Sequence, residues 1–377
     1  MNFAIFCESI LSDWNHGNAH FLRGIVTELI SRGHHVSVFE PIDSWSLGNL
    51  IADHGFEAVS ECTRHYPTIR ATRYERGTLD LDAALDSADV VLVHEWNTPE
   101  LIRNIGKHRT RTRRYQLLFH DSHHRMATDP AAMSRYDLSD YDGVLAFGRV
   151  IADLYRARGL AERAWTWHEA ADTRVFRPVK PVQPVKPMPL RPGHLVWIGN
   201  WGDDERTDEL QEFLLEPSRS LALRTEVYGV RYPDEARQKL KSAGIAYNGW
   251  TANYRVPEVF ARFRATVHIP RRPYVEKLPG IPTIRVFEAL ACGIPLISAP
   301  WSDAENLFTP GRDFLVARDG NEMREHLKAV MHDRDLQTAL SRHGLQTILK
   351  RHTCSHRTDE LLAICRELRK EPECLRE

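Results

Sequence analysis

The residues of this chain best suited to chemistry begin in one stretch, Leu278 to Gly293, LPGIPTIRVFEALACG, followed at once by IPLISAP. The pattern predicts a loop, a helix starting at Thr283, a stop at Gly293 and a buried strand over Pro295–Ala299. Thr is a favoured N-cap, and Ile284, Phe287 and Ala291 supply an apolar face at helical spacing. A helix N-terminus offers free N–H groups and partial positive charge, which suits a phosphate. Arg285 adds a formal charge in the first turn. Glu288, one turn on, can accept from two hydroxyl donors, as a ribose offers. The competing reading is an ordinary amphipathic helix with an exposed i,i+3 ion pair between Arg285 and Glu288.

Three further groups have matching chemistry. Gly199-Asn200-Trp201-Gly202 follows a strand-like run, and its glycines let the backbone approach a ligand, with Arg206 at the next helix start. A plain turn capped by Asp203, Asp204 and Glu205 is the alternative, and those acids must point away from any phosphate. Arg271 and Arg272, held between prolines at a strand end, can grip a diphosphate through their planar forks, or form a solvated basic loop. Gly249 and Trp250 end another strand and border the same region. In the other half, strand Gln116–Phe119 runs into His120-Asp121-Ser122-His123-His124-Arg125. This set supports a general base or charge stabiliser, with His120 nearest the strand end, Asp121 orienting a histidine and Glu95 as a second candidate. Metal binding lacks any ligand spacing such as HExxH, and a polar loop with helix-capping histidines is the structural alternative. His16, Gly17 and Asn18 flank the same place from the first strand.

The elements that must position these groups read as two α/β units. Phe3–Glu8 is a strand, Ser9–Asn18 a polar loop, Ala19–Ser31 a helix and Val36–Phe39 a second strand. This is a βαβ start with a parallel sheet. Strands recur at Val90–His94, Gln116–His120, Val144–Phe147 and Trp165–His168, several ending in polar residues where open sheets place ligands. The stretch from Asp43 to Leu79 reads as irregular. Residues 1–177 form the first predicted domain, the proline-dense 178–193 a semi-rigid linker, and 194–352 the second. In the second, helices are expected at Thr207–Leu215, Asp234–Ala243 and Pro257–Phe263, and strands at Leu195–Ile198, Thr225–Tyr228, Ile245–Tyr247, Thr266–Ile269, Pro295–Ser298 and Phe314–Val316. The tail from Glu322 is helical in pattern.

Composition narrows the class. The chain has 377 residues, 42% of them hydrophobic, enough for two cores. A net charge of −1 argues against a nucleic-acid partner. The N-terminus has no basic segment or cleavage site, and no apolar run reaches the ~18 residues of a membrane span. The six cysteines form no CxxC pair, which fits a cytoplasmic location without zinc. GxGxxG after the first strand, GxxxxGK[ST] and GxSxG are all missing, disfavouring nicotinamide enzymes, P-loop NTPases and α/β-hydrolases. The basic run Arg103–Arg114 reads either as a weak peripheral contact with anionic membrane or as a solvated helix end.

Four ordered segments resemble GT-B glycosyltransferases of the family 4 type and especially the CgeB-like, spore-maturation group. They are GNAHFLRG, AADTRVFRP, WIGNWGDDER and PTIRVFEALACGIPLI, and together they span nearly the whole chain. The resemblance implies an α/β GT-B fold, two Rossmann-like domains facing each other across a cleft, with the nucleotide-sugar donor in the C-terminal domain and the acceptor in the N-terminal one. The segment 353–377 would be a final helix crossing back to the N-terminal domain. Arg206, Arg271, Arg272 and the helix start at Thr283 and Ile284 would hold the diphosphate, and Glu288 the ribose. His16, Gly17, Asn18, His123, His124 and Glu169 would lie on the acceptor side. No metal or other cofactor is expected, because fixed cations and helix dipoles serve the leaving group. The acceptor, whether small molecule, glycan or protein, is not specified. Family 4 chains carry another Glu eight residues before Glu288; here the position is Gly280, so that donor-sugar contact does not carry over. The rival readings are a GT-B nucleotide-sugar epimerase or hydrolase, and a non-catalytic nucleotide-sugar-binding protein.

Overall fold

The computed structural model describes residues 1–179 and 193–374. Most of the predicted proline-dense linker, residues 180–192, lies outside them. The chain divides into two compact units, Met1–Glu169 joined by the chain from Cys354 onward, and Ala170–Thr353.

The first unit is a seven-stranded sheet of β1 (Asn2–Phe6), β2 (His35–Pro41), β3 (Ala71–Tyr74), β4 (Val90–His94), β5 (Gln116–Asp121), β6 (Gly143–Ala146) and β7 (Ala164–Thr166). The order is β3-β2-β1-β4-β5-β6-β7, and every pairing is parallel. A parallel sheet is covered on both faces, so β4 is buried at every residue and reads VVLVH without alternation. The order reverses between β1 and β4, and a ligand crevice forms beyond the strand ends at such a switch. The region read as irregular, Asp43 to Leu79, holds a helical stretch over Trp45–His65 and the edge strand β3. Gly55 hid it from the sequence pattern by breaking the stretch with φ 71, while Ser44 caps its start by accepting from Leu47 N.

The last helix, Cys354–Cys374, packs on this unit. Arg32 pairs with Asp359, Gln116 donates to the Cys365 carbonyl at 2.7 Å, and Trp167 Nε1 donates to the Arg357 carbonyl at 2.8 Å.

The second unit is a six-stranded parallel sheet of β8 (Gly193–Ile198), β9 (Thr225–Tyr228), β10 (Ala246–Tyr247), β11 (Phe263–His268), β12 (Leu296–Ser298) and β13 (Leu315–Val316). Its order, β10-β9-β8-β11-β12-β13, reverses between β8 and β11. The helix expected over Thr207–Leu215 runs on to Ser220 through a π turn at Gln211–Leu215. Phe263 belongs to β11, and the preceding helix is Val256–Ala261. Among the described residues no helix is long and apolar enough to cross a membrane.

Candidate functional site

In the second unit Asn200, Arg206 and Arg271 meet at the β8/β11 switch. Tight turns bring the strand ends together. Gly229 approaches the end of β8 so closely that a Cβ there would lie 1.9 Å from the Gly199 carbonyl oxygen. Gly199 N donates to the Tyr228 carbonyl, and Gly229 N to the Gly249 carbonyl. Trp250, after Gly249, is half-buried. Gly202, at φ +99, leaves room for the Arg206 side chain, whose Nε would sit 2.8 Å from a Cβ at that position.

Arg206 is the central group. It is 9% exposed, and its guanidinium joins the two strand ends. Nη1 donates to the Ile269 carbonyl at 3.0 Å; Nη2 donates to the Asn200 carbonyl at 2.6 Å and to Asn200 Oδ1 at 2.8 Å. Its Nε has no partner, and no carboxylate forms an ion pair with it among the described residues. The guanidinium also lies 5.0 Å from the ring centre of Trp197. Burial first, then the neighbouring Arg271, pushes its pKa down to about 10. A buried cation beside a second cation is costly until an anion arrives. Arg271 donates to Asn200 Oδ1 at 3.0 Å and pairs with Glu205 at 2.7 Å. Asp203 and Asp204 are exposed, with Asp203 paired to Arg231, whereas Glu205, the third acid of the turn, faces Arg271 instead of solvent. Arg272 is turned to Asp208 and Glu209, at 3.6 and 3.8 Å, rather than to Arg206.

The key helix is Ile284–Ala291. Thr283 stands at its N-cap, but its side chain makes no capping bond; in the first turn Val286 N donates to the Thr283 carbonyl at 3.0 Å. Gly293 stops the helix with φ 63. Arg285 and Glu288 do pair, yet not on the surface: Glu288 is wholly buried. Gly280, in the loop before the helix, has φ +92 and carries the Glu305 side chain against it, where a Cβ would meet Cγ at 2.5 Å. His268, at the end of β11, was not singled out from sequence. It is buried, bonds Ser298 Oγ at 2.9 Å through Nδ1, and burial pushes its pKa to about 3.

In the first unit a polar cluster sits at the β1/β4 switch. His120 is fully buried, with ring centres of Trp167 at 4.9 Å, His94 at 5.1 Å and Phe21 at 5.9 Å. Burial pushes its pKa to about 3, so in this state it is a weak base, suited to donating from a neutral ring. Asp121 orients no histidine ring: its oxygens accept from His123 N at 3.0 Å and Tyr155 Oη at 2.8 Å. Burial, then the adjacent Glu95, raises it well above the usual carboxylate range. Glu95 is fully buried, paired with Arg125 at 2.9 Å and accepting from Ser122 N at 2.9 Å. Asn18 donates to Ser122 Oγ, His16 is buried 6.2 Å from the His94 ring, and Gly17 is exposed. His123 packs edge-on against Trp96, His124 bonds Thr128, and Glu169 is buried. His94 and Tyr155 were not picked from sequence, although His94 ends a named strand, and Ser122 and Arg125 were named only within the run that follows β5; the pairing of β4 with β5 sets His94 beside His120. Among the described residues no group of His, Cys, Asp or Glu is arranged to hold a metal.

Four arginines of the basic run have acidic partners. Arg103, Arg109, Arg111 and Arg114 pair with Asp137, Asp142, Asp82 and Asp86.

Residues 206–363 match a family model described as glycosyl transferase-like. No curated protein gives a significant sequence match. Solved structures match over nearly the full length at low identity. Sucrose-phosphate synthase from Thermosynechococcus elongatus aligns with TM-score 0.66 and 13% identity, over 98% of this chain and 100% of that one. HepE of Anabaena, in complex with UDP and glucose, gives 0.68 and 13%, over 97% and 100%. A glycosyltransferase from Rickettsia africae gives 0.67 and 10%, over 98% of each. Two parallel, doubly wound sheets and these full-length likenesses give the chain the GT-B glycosyltransferase fold.

Proposed function

We propose that this chain is a glycosyltransferase that moves a sugar from a nucleoside-diphosphate sugar to an acceptor hydroxyl, without a metal. The observation that carries the reading is Arg206: a buried cation with no carboxylate partner of its own among the described residues, spanning the β8/β11 switch beside Arg271. Breaking the bond between sugar and diphosphate leaves negative charge on the departing phosphate. Fixed cations aimed at that charge lower the barrier without reorganising. Arg206, Arg271 and the uncapped Ile284–Ala291 helix start supply such groups. Glu288 would accept from the ribose diol while Arg285 holds it in place. The likeness to a UDP-bound neighbour supports UDP as the first nucleotide to test. The resemblance of WIGNWGDDER and PTIRVFEALACG supports a CgeB-like subgroup.

Calorimetric titration with UDP, GDP, dTDP, CDP and ADP tests the reading. One diphosphate should bind the wild type without magnesium. Glu288→Gln keeps the side-chain volume and should weaken that nucleotide about tenfold or more, the worth of a hydrogen bond to a charged group. Binding by none removes the donor site; unchanged affinity in the variant removes the ribose role.

A further inference from the structure

Every acceptor that holds Arg206 is neutral. Its guanidinium donates to the Ile269 carbonyl at 3.0 Å, the Asn200 carbonyl at 2.6 Å and Asn200 Oδ1 at 2.8 Å, and it lies over the Trp197 ring. Carbonyl oxygens satisfy N–H groups and fix their direction, but they cancel no charge. Asn200 Oδ1 also accepts from Arg271 Nη2 at 3.0 Å, so one amide oxygen joins two guanidiniums. Guanidiniums only donate, which requires this amide to present oxygen rather than nitrogen to both. The turn is shaped around the arrangement. A Cβ at Gly199 would lie 3.3 Å from Arg206 Nη2, and one at Gly202 would lie 2.7 Å from Arg206 Cγ. The second cation has its own counter-ion, because Glu205 pairs with Arg271 at 2.7 Å. The first, more deeply buried, has none among the described residues. Tyr232, Glu205 and Tyr274 act to raise the Arg206 pKa, and burial with Arg271 outweighs them.

For folding alone, a carboxylate at position 200 is the better choice. Aspartate has nearly the size and shape of asparagine. It accepts from the same N–H groups and supplies the counter-ion that Arg206 lacks. It also leaves less positive charge for a ligand. We propose that Asn200 is a positioning residue: its neutral oxygen sets Arg206 and Arg271 side by side and keeps the charge of Arg206 free for an incoming diphosphate. The bridge itself rests on the hydrogen bonds; that the anion is a diphosphate rests on the function proposed above. The cost falls on the empty fold, where a buried cation stands beside a second cation until the anion binds. Stability and affinity are therefore set against each other at this one residue.

Asn200→Asp separates charge from shape, and Asn200→Ala removes the bridge without adding charge. Urea unfolding of the full chain without ligand reads stability. Calorimetry with inorganic pyrophosphate, and with the nucleoside diphosphate that binds the wild type, reads affinity. Asn200→Asp should move the urea midpoint up and weaken both ligands about tenfold or more, the worth of a hydrogen bond to a charged group. Asn200→Ala should lower stability and affinity together. A residue that merely shapes the turn moves both readouts the same way in both variants. If Asn200→Asp lowers stability as Asn200→Ala does, or leaves affinity unchanged, the proposal falls. Salt gives an independent reading. Pyrophosphate affinity should fall with ionic strength in the wild type and less steeply in Asn200→Asp, and parallel slopes also refute the role. The nucleotide reading fails separately. A wild type that binds pyrophosphate but no nucleoside diphosphate keeps the bridge and loses the nucleotide; one that binds neither loses both.

Discussion

Replacing His120 with leucine should make the protein more stable and less active. His120 is fully buried among rings, and neither ring nitrogen has a partner among the described residues. An unpaired buried polar group costs about 1–3 kcal/mol, which leucine of similar volume removes, less about 1 kcal/mol of ring contacts. Near pH 7.5 His120→Leu should therefore match or exceed the wild type by about 1 kcal/mol. The pH dependence is sharper. The folded pKa is about 3, below the ordinary value near 6.5, so the folded state binds fewer protons. Stability held above about pH 6.5 is lost as pH falls towards about 3, because the unfolded chain gains the proton first. At about pH 5 this term is worth about 2 kcal/mol, and it vanishes in the variant. Comparing variant with wild type cancels the opposite trend from Asp121, whose raised pKa favours the folded state as pH falls. Urea unfolding at the two pH values reads both terms. The variant's advantage should grow by about 2 kcal/mol on acidification. A variant less stable at about pH 7.5, with the same deficit at about pH 5, would mean that the ring is partnered and titrates normally.

Two further substitutions probe the donor unit. Arg206→Lys keeps the charge but cannot reach both the Ile269 and Asn200 carbonyls, so nucleoside-diphosphate affinity should fall about tenfold or more by calorimetry; unaltered affinity would remove Arg206 from the site. Gly280→Ala meets a left-handed backbone and the Glu305 side chain at 2.5 Å, and should cost about 2 kcal/mol in urea unfolding. Adding Glu305→Ala should restore the steric part alone, and strictly additive effects would show that the two residues do not touch.

Strand-ending polar residues and glycine turns were legible in the sequence because they are local. A βαβ pattern implies a parallel sheet, and such sheets place ligands at the strand carboxyl ends. That is why Arg206, Arg271, His120 and Asp121 stand out in the sequence alone. The helix at Trp45–His65 escaped the same reading, since Gly55 interrupts its period.

Partnership was not legible. Arg285 and Glu288 stand three residues apart in any helix, but sequence spacing cannot tell an exposed pair from one whose carboxylate is wholly buried. Nothing local shows that Arg206 lacks a carboxylate of its own while Arg271 takes Glu205. His94, Ser122 and Asn18 come from three separated segments, and only the order β1-β4-β5 brings them onto one hydroxyl. The chain's local patterns thus determined its elements and the ends at which chemistry gathers. Which polar groups share a hydrogen bond, and which cation lacks a counter-ion, the tertiary structure decided, because hydrogen bonds and burial are set by neighbours distant in sequence.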